Sequence, residues 1–348
     1  MQSTQLQITG SAARPTFHLQ TFQLADPTPG EVQIQMQATS VNPIDTKRAQ
    51  GYGKRVLGIK GAGKFPLAMG NDIVGTVSAL GRNVTRLKIG DHVFGLKAAS
   101  AFGTHATHVN AKAKFLRPVP AGVSAAELAA LPYSFTTMML ALKGAGLNQN
   151  TARGSSVLVI GAAGGLGQLA LQVLSGWDAL VTAVCETATV ELCQSLGASE
   201  IIDRFKTKVR DLAPRFDAVL NFAAWDDDEF LASRLRHGAL GHATTVHPLL
   251  ANFDRLGWIG GGLQTIKDKR RVASAGKKAS GSSRYAWTVF SPNEEALDVL
   301  ADGLTKGRFK LPIGLTVPLS EGEKAFVHVS EGRVGRAVLM CQASGNTA

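Results

Sequence analysis

The stretch that most constrains this chain is Ser156–Glu186, where an apolar run, Val157–Ile160, breaks into Gly161-Ala162-Ala163-Gly164-Gly165-Leu166-Gly167. A helical pattern follows, and a second apolar run, Leu180–Val184, closes on Cys185-Glu186. Strand, glycine turn, helix and strand make the βαβ order that grips a dinucleotide. Ala162, Gly164 and Gly167 keep the G-x-G-x-x-G spacing, with alanine in first place. The middle glycine lets backbone N–H groups approach a pyrophosphate, and the third lets the helix pack closely on the strand. The helix N-terminus then offers its partial positive charge to the phosphates. An ordinary α/β domain can carry such a turn, so the flanking strands are what favour a dinucleotide.

The same rhythm continues downstream. Glu200–Asp203, Asp217–Phe222 and about Ala239–Val246 read as further strands separated by helical patterns, which predicts a doubly wound parallel sheet. Upstream, Ala125–Leu131 and Thr136–Gly144 read as helices broken at Pro132. The first part of the chain differs. Glu31–Ala38 alternates polar and apolar after the turn signal Pro27-Thr28-Pro29-Gly30, and Ile73–Leu80 and Asp91–Gly95 read as further strands. Tyr285–Phe290 reads as a strand, and Asn293–Gly307 as an amphipathic helix capped by Ser291 or Asn293. The tail to Met340 resumes the β character. The expected α/β organisation is a β-rich domain over residues 1–130, a nucleotide-binding domain over 131–290, and a tail over 291–348 that returns to the first domain.

The 348 residues suffice for two such domains. No run approaches the roughly 18–20 apolar residues of a membrane span. The N-terminus lacks the order of a secretory signal, and Gln5, Gln7 and Gln20 alternate as in a strand rather than a mitochondrial presequence, so a cytoplasmic protein is expected. Cys185, Cys193 and Cys341 have no metal-ligand spacing and read as small buried residues. The formal charge of +11 favours nucleic acid, an anionic membrane surface, or anionic substrates and cofactors. Its densest source is Gln264–Arg284, read as a solvated loop with Lys267, Lys269, Arg270, Arg271, Lys277, Lys278 and Arg284 against Asp268.

Several segments, in order, resemble the medium-chain dehydrogenase/reductase superfamily and its zinc-free quinone oxidoreductase branch. They are Ala38–Asp45, Phe65–Asp72 with Gly75 and Gly90-Asp91, Ala130-Leu131-Pro132 leading to Thr137, the glycine turn, Leu196-Gly197-Ala198, and Gly335–Leu339. The resemblance implies a Rossmann-type sheet inserted in a GroES-like catalytic domain. Where the superfamily's alcohol dehydrogenases carry a zinc-binding cysteine and histidine, this chain has Asn42 and Asn71, and neutral amides are poor zinc ligands. His105 and His108 read as polar surface. The implied chemistry is hydride transfer from a nicotinamide to a quinone or an α,β-unsaturated carbonyl, whose conjugation spreads the developing charge.

By resemblance, Asn42 lines the nicotinamide site, Asp45 orients its loop, and Thr137 places a hydroxyl against the nicotinamide. Tyr52 lies where related reductases carry a tyrosine near the substrate, as a proton donor or as a gate; Lys47 is a weaker donor. The expected cofactor contacts are Asn42, Thr137, Gly161, Ala163, Gly164, Gly165, Leu166, Gly167, Cys185, Glu186, Arg204 and Phe222. Glu186 lies 19 residues beyond Gly167 (186 − 167), where an acid binds the ribose 2′-OH of NADH and repels the 2′-phosphate of NADPH. Arg204, approaching from the next strand, would restore a phosphate contact; alternatively Glu186 points outward and Cys185 faces the ribose. Both NADPH and NADH stay open, with family habit leaning to NADPH. The expected partners are a small quinone or enone and a second copy in a homodimer, with no membrane. Two alternatives stand beside the reductase: a nucleic-acid-binding or structural relative acting through 264–284, and an enoyl thioester reductase.

Overall fold

The computed structural model describes residues 1–9, 15–59, 61–100, 102–281 and 284–342. The chain divides into two compact units, Met1–Tyr133 with Ser291–Ala348, and Ser134–Phe290.

The second unit is built on six parallel strands. In chain order they are Ser156–Ile160, Leu180–Cys185, Glu200–Asp203, Ala218–Asn221, Gly241–Thr244 and Tyr285–Trp287, and in the sheet they run 3-2-1-4-5-6. This is the order of a Rossmann sheet, whose strand order reverses beside strand 1. Strand 1 is central: Val157 lies between Val181 and Ala218. Val157, Leu158 and Val159 are wholly buried, which is why the strand reads as an unbroken apolar run rather than an alternating one. Leu158, Val184, Ile202, Phe216, Val219 and Leu231 form one apolar core within this unit.

The turn after strand 1 depends on two glycines. Gly161 has φ +77°, which favours glycine. Gly167 lies so close to the turn that a Cβ would come within 2.3 Å of the Gly161 carbonyl oxygen and 2.6 Å of Ala162 Cα. The Gly165–Gly176 helix therefore leaves the turn with its first residues pressed against the strand end.

The first unit has a larger sheet of mostly antiparallel strands, in the order Ile313–Pro318, Arg336–Met340, Glu31–Val41, Asp72–Leu80, His92–Leu96 and Leu116–Pro118, with His108–Lys112 also pairing Glu31–Val41. A smaller sheet joins Thr16–Gln23, Gln2–Thr9 and Leu67–Ala68. The tail strand is an interior member of the larger sheet, pairing Ala337 with Val41 and Met340 with Ala38. Its alternate neighbour, Ile313–Pro318, packs with Leu6, Ile8, Leu67 and Phe326 through Val317. The helix expected over Asn293–Gly307 spans Glu294–Thr305. Asn293 caps it by accepting from the Ala296 N–H at 2.8 Å, and Gly307 follows at φ +67°.

One expectation is corrected. Residues 264–280 are not a loop but the second part of a helix, Leu249–Ser280, interrupted by the non-helical Gly257 and ended by the left-handed Gly281. Ser282 and Ser283 lie outside the described residues. Lys, Arg, Gln and Ala are good helix formers, and Gly261, Val272, Gly276 and Ser280 supply a narrow buried face. The glycines and serines that suggest a loop are what let this helix pack closely: a Cβ at Gly261 would lie 2.7 Å from Phe253 Cα. Ala125–Gly144 is apolar enough by length and composition to cross a membrane, but it is mostly buried and comprises two helices, Ala125–Ala129 and Pro132–Gly144.

Gly167→Val cannot be accommodated without parting the helix from the turn. It is expected to cost about 2–3 kcal/mol, read as a lowered urea midpoint, whereas Gly176→Ala, where a Cβ meets nothing, should be neutral or stabilising.

Candidate active site

The glycine turn ends in an extended Gly164 that caps the Gly165–Gly176 helix without any side-chain hydrogen bond to its N-terminus. The turn itself is fixed from behind. Ala162 N–H donates to Val184 O at 3.2 Å, Gly164 N–H to Gly161 O at 3.1 Å, and Gln168 Nε2 to Ala163 O at 2.7 Å. A Cβ on Gly164 would meet nothing nearer than Gly161 O at 3.4 Å. A helix N-terminus that is uncapped and unobstructed at its cap residue fits an anion such as a dinucleotide pyrophosphate. Phe222, half-buried, borders the same strand end, with its N–H donating to Ile160 O at 3.1 Å.

At the end of strand 2, Cys185 is buried and Glu186 points out. Glu186 is paired with Arg204, each about half exposed, and the Arg204 N–H donates to Cys185 O at 2.9 Å. The acid and the base that the sequence sets in competition for the ribose thus hold each other. All three cysteines are free and buried, and burial beside Cys185 pushes the Cys193 thiol up to about 12, so it stays protonated.

The first unit holds a buried polar network that the sequence did not reveal. Asn42, fully buried at the start of the Pro43–Ala49 helix, donates through Nδ2 to Asp72 Oδ2 at 2.9 Å and accepts at Oδ1 from Arg336. Ser40 Oγ donates to the same Asp72 oxygen at 2.6 Å, and Tyr133 N–H donates to the other at 2.7 Å. Asp45, also fully buried, accepts from Asn42 N–H at 2.9 Å and from Gly70 N–H at 3.2 Å. Burial pushes the Asp72 carboxyl up to about 6 against the pull of Ser40, Tyr133, Asn42 and Arg336, and burial lowers the Arg336 guanidinium. Anion and cation are therefore both held at a cost, with the Asn42 amide between them.

The remaining candidates are dispersed. Tyr52, half-buried, sits in the turn after the Pro43–Ala49 helix, its N–H donating to Lys47 O at 3.0 Å and the Lys47 ammonium lying 5.8 Å from its ring centre. Thr137 is buried in the Pro132–Gly144 helix. Asn71 is buried, with its amide donating to Lys97 O at 2.8 Å. His105 is not polar surface: it is wholly buried, with Nε2 3.0 Å from Ser40 O and its ring edge-on to Phe326. Burial lowers its pKa, so it is neutral at pH 7. A side chain at Gly70 would strike the His105 ring at 2.4 Å, which accounts for that glycine. His108 is half-buried and touches Thr107 Oγ1 at 3.2 Å.

A second network lies in the other unit. Asp228 accepts from Asn221 Nδ2 at 2.9 Å and from the Tyr285 hydroxyl at 2.6 Å, and lies 2.7 Å from His242 Nε2. Trp287 donates to the Tyr285 oxygen at 2.6 Å, stacks on His247 at 4.8 Å and meets Trp225 edge-on. Burial works against the Asp228 carboxylate, but His242, Tyr285 and Asn221 together hold it below its ordinary range. No local spacing announces either network, since Asn42 and Arg336 in the first, and Asp228 and Tyr285 in the second, come from distant segments.

Because its native pKa is raised, Asp72 weakens the fold above pH 6, and that cost is relieved as pH falls towards 4. Asp72→Asn removes the titration. The stability difference between Asp72→Asn and the parent is expected to shift by roughly 2 kcal/mol in the parent's favour from pH 7 to pH 4, measured by urea unfolding at each pH.

Residues 28–121 match the family model described as alcohol dehydrogenase GroES-like domain, and residues 196–339 the one described as zinc-binding dehydrogenase. The chain is 33% identical over 331 residues to "NAD(P)H oxidoreductase RTN4IP1, mitochondrial" of Homo sapiens, covering 89% of this chain and 82% of that protein. It is 36% identical over 193 residues to "Chloroplast envelope quinone oxidoreductase homolog" of Arabidopsis thaliana, covering 54% of this chain and 57% of that one. The solved quinone oxidoreductase of Coxiella burnetii superposes with a TM-score of 0.81 at 22% identity, over 98% of this chain and all of that one. The relatives correct one expectation: proteins 27–33% identical, from human to zebrafish, are named mitochondrial, which conflicts with a cytoplasmic protein. The alternation on which that expectation rested lies in the paired strands Gln2–Thr9 and Thr16–Gln23, and so reports on folding rather than on address. With both domain models matched and an oxidoreductase relative aligned along most of its length, the chain belongs to the medium-chain dehydrogenase/reductase superfamily, among its NAD(P)H oxidoreductases.

Proposed function

We propose that the chain delivers hydride from NADPH or NADH to a quinone or an α,β-unsaturated carbonyl. The observation that carries this reading is the uncapped, unobstructed helix N-terminus at Gly164-Gly165, on the sheet order that binds dinucleotides. The bound nicotinamide supplies the hydride. The protein's part is to hold the pyrophosphate on the backbone N–H groups of Gly165, Leu166 and Gly167, and the ribose at the Cys185-Glu186 strand end.

One matched model is named for zinc. The donor set here does not fit one: among the described residues, no three His, Cys, Asp or Glu side chains converge to hold a metal, and the Asn42 and Asn71 amides are occupied by protein partners. The proposed mechanism therefore uses hydrogen-bond donors alone. Asn42 and Asp45, fully buried and engaged, serve as positioning residues. They fix the start of the Pro43–Ala49 helix, while Arg48 fixes its end by donating to Ala62 O at 3.1 Å and Ser100 O at 3.2 Å. The turn that carries Tyr52 is thereby held on a rigid support, and Tyr52 donates the proton to the substrate oxygen that gains charge.

At the ribose, an exposed ion pair is weak, in the range of about 0–1 kcal/mol. A 2′-phosphate would draw Arg204 away from Glu186, so the lean towards NADPH is retained. In a titration followed by nicotinamide fluorescence, Arg204→Leu is expected to raise the Kd for NADPH about tenfold and leave NADH within about twofold. An unchanged NADPH Kd would exclude the phosphate contact. Purified protein should oxidise NADPH with simple quinones or enones. Tyr52→Phe should lower kcat about a hundredfold without changing cofactor Kd; an equal loss in Kd would make the tyrosine a gate.

A further inference from the structure

The Leu249–Ser280 helix, which the proposed reaction does not use, presents two kinds of surface in sequence along one face. At about 100° per residue, Ile259, Leu263, Ile266, Arg270 and Lys277 share a face opposite the buried Gly261, Val272 and Gly276. Ile259 is 82% exposed, Leu263 66% and Ile266 50%. They form an apolar ridge about 10 Å long, preceded by the half-exposed Trp258. Beyond the ridge the face turns basic with Arg270 and Lys277, flanked by the exposed Lys267 and Lys278. The only acid between Gly257 and Gly281 is Asp268, and it is turned away: its oxygens accept from Asn252 Nδ2 at 2.9 Å and Gln264 Nε2 at 2.8 Å. The exposed face therefore carries cations with no acid among them.

We propose that this face binds the surface of an anionic lipid bilayer, with Ile259, Leu263 and Ile266 entering the headgroup–acyl boundary, Trp258 at the edge of the ridge beside Phe253, and the basic turns resting on lipid phosphates. An exposed apolar ridge continued by lysine and arginine offers an anionic lipid surface both apolar burial and electrostatic attraction. Charge complementarity selects this occupant. A second copy docking through the same face would bring two acid-free cationic surfaces together. Nucleic acid would satisfy the cations but leave the apolar ridge in water. The expectation of no membrane partner rested on the lack of a spanning segment, and an interfacial helix needs none.

The test is co-sedimentation of the full-length protein with phosphatidylcholine vesicles, with and without about 30% anionic lipid, at low and high salt. Binding is expected only to the anionic vesicles and should weaken with salt. The triple variant Ile259→Glu, Leu263→Glu, Ile266→Glu and the double variant Arg270→Glu, Lys277→Glu should each lower the partition coefficient at least tenfold, with unchanged circular dichroism. Brominated acyl chains should quench tryptophan fluorescence in the parent, and Trp258→Phe, which keeps the ring's bulk, should lose that quench while still binding. The proposal is overturned by any of four results. The parent may ignore anionic vesicles, or the triple variant may bind as well as the parent. Quenching may survive Trp258→Phe. Or the triple variant may lose only nucleic-acid binding or self-association, with vesicle binding intact.

Discussion

The Asp72–Asn42–Arg336 bridge sets the geometry on which the first unit depends. Asp72 opens a strand, Asn42 ends the neighbouring strand and caps a helix, and Arg336 begins the tail strand, so one amide joins three segments. A buried ion usually costs several kcal/mol in desolvation unless its partners are well placed. Asparagine suits the middle position because it presents a donor to the carboxylate and an acceptor to the guanidinium. Aspartate would offer no donor, and leucine would offer neither. The returning tail is therefore more than another strand. It brings the cation without which the Asn42 oxygen and the Asp72 charge would lose a favourable neighbour.

The two units stabilise their candidate sites by different means. In the Rossmann unit the glycine turn is shaped by backbone: Gly161 takes a conformation other residues resist, and Gly167 allows a contact no side chain could share. Its proposed binding groups are N–H groups, which every residue has, so identity matters there only through what must be absent. In the first unit, side-chain hydrogen bonds do the positioning, and identity matters through what must be present. Asp45 shows the difference: one carboxylate accepts two N–H groups, from Asn42 and Gly70, and so holds the helix start against the segment before Asp72.

That contrast explains what could be read from the sequence. The glycine turn and the parallel strands were legible because their signals are local, in spacings of a few residues and in apolar runs. The polar networks were not, since Asn42 meets Asp72 across 30 residues and Arg336 across 294. His105 looked like surface because its partner is a backbone carbonyl 65 residues away, which no side-chain pattern reveals. The stretch 264–280 reads as a loop for another reason. Its buried face is made of glycine, serine and a single valine, so it has almost no apolar period, and its helix-forming lysines and arginines were counted as solvated charge. The mitochondrial names of the relatives have no counterpart in fold-forming residues at all.

The least constrained part of the proposed site is the Glu186–Arg204 pair, and its weakness has a consequence for cofactor choice. Both side chains are about half exposed, so the pair is screened and contributes at most about 1 kcal/mol. A ribose 2′-OH can donate to Glu186 in a charged hydrogen bond worth about 1.5–3 kcal/mol. A 2′-phosphate brings a charged, forked contact to Arg204 of comparable size but must leave Glu186 unpaired in solvent, where an exposed carboxylate is hydrated at little cost. The two outcomes differ by only about one or two kcal/mol, about a five- to thirtyfold preference. A strand end carrying an acid and a base that satisfy each other thus discriminates modestly, whereas an acid alone would reject the phosphate by charge and a base alone would attract it.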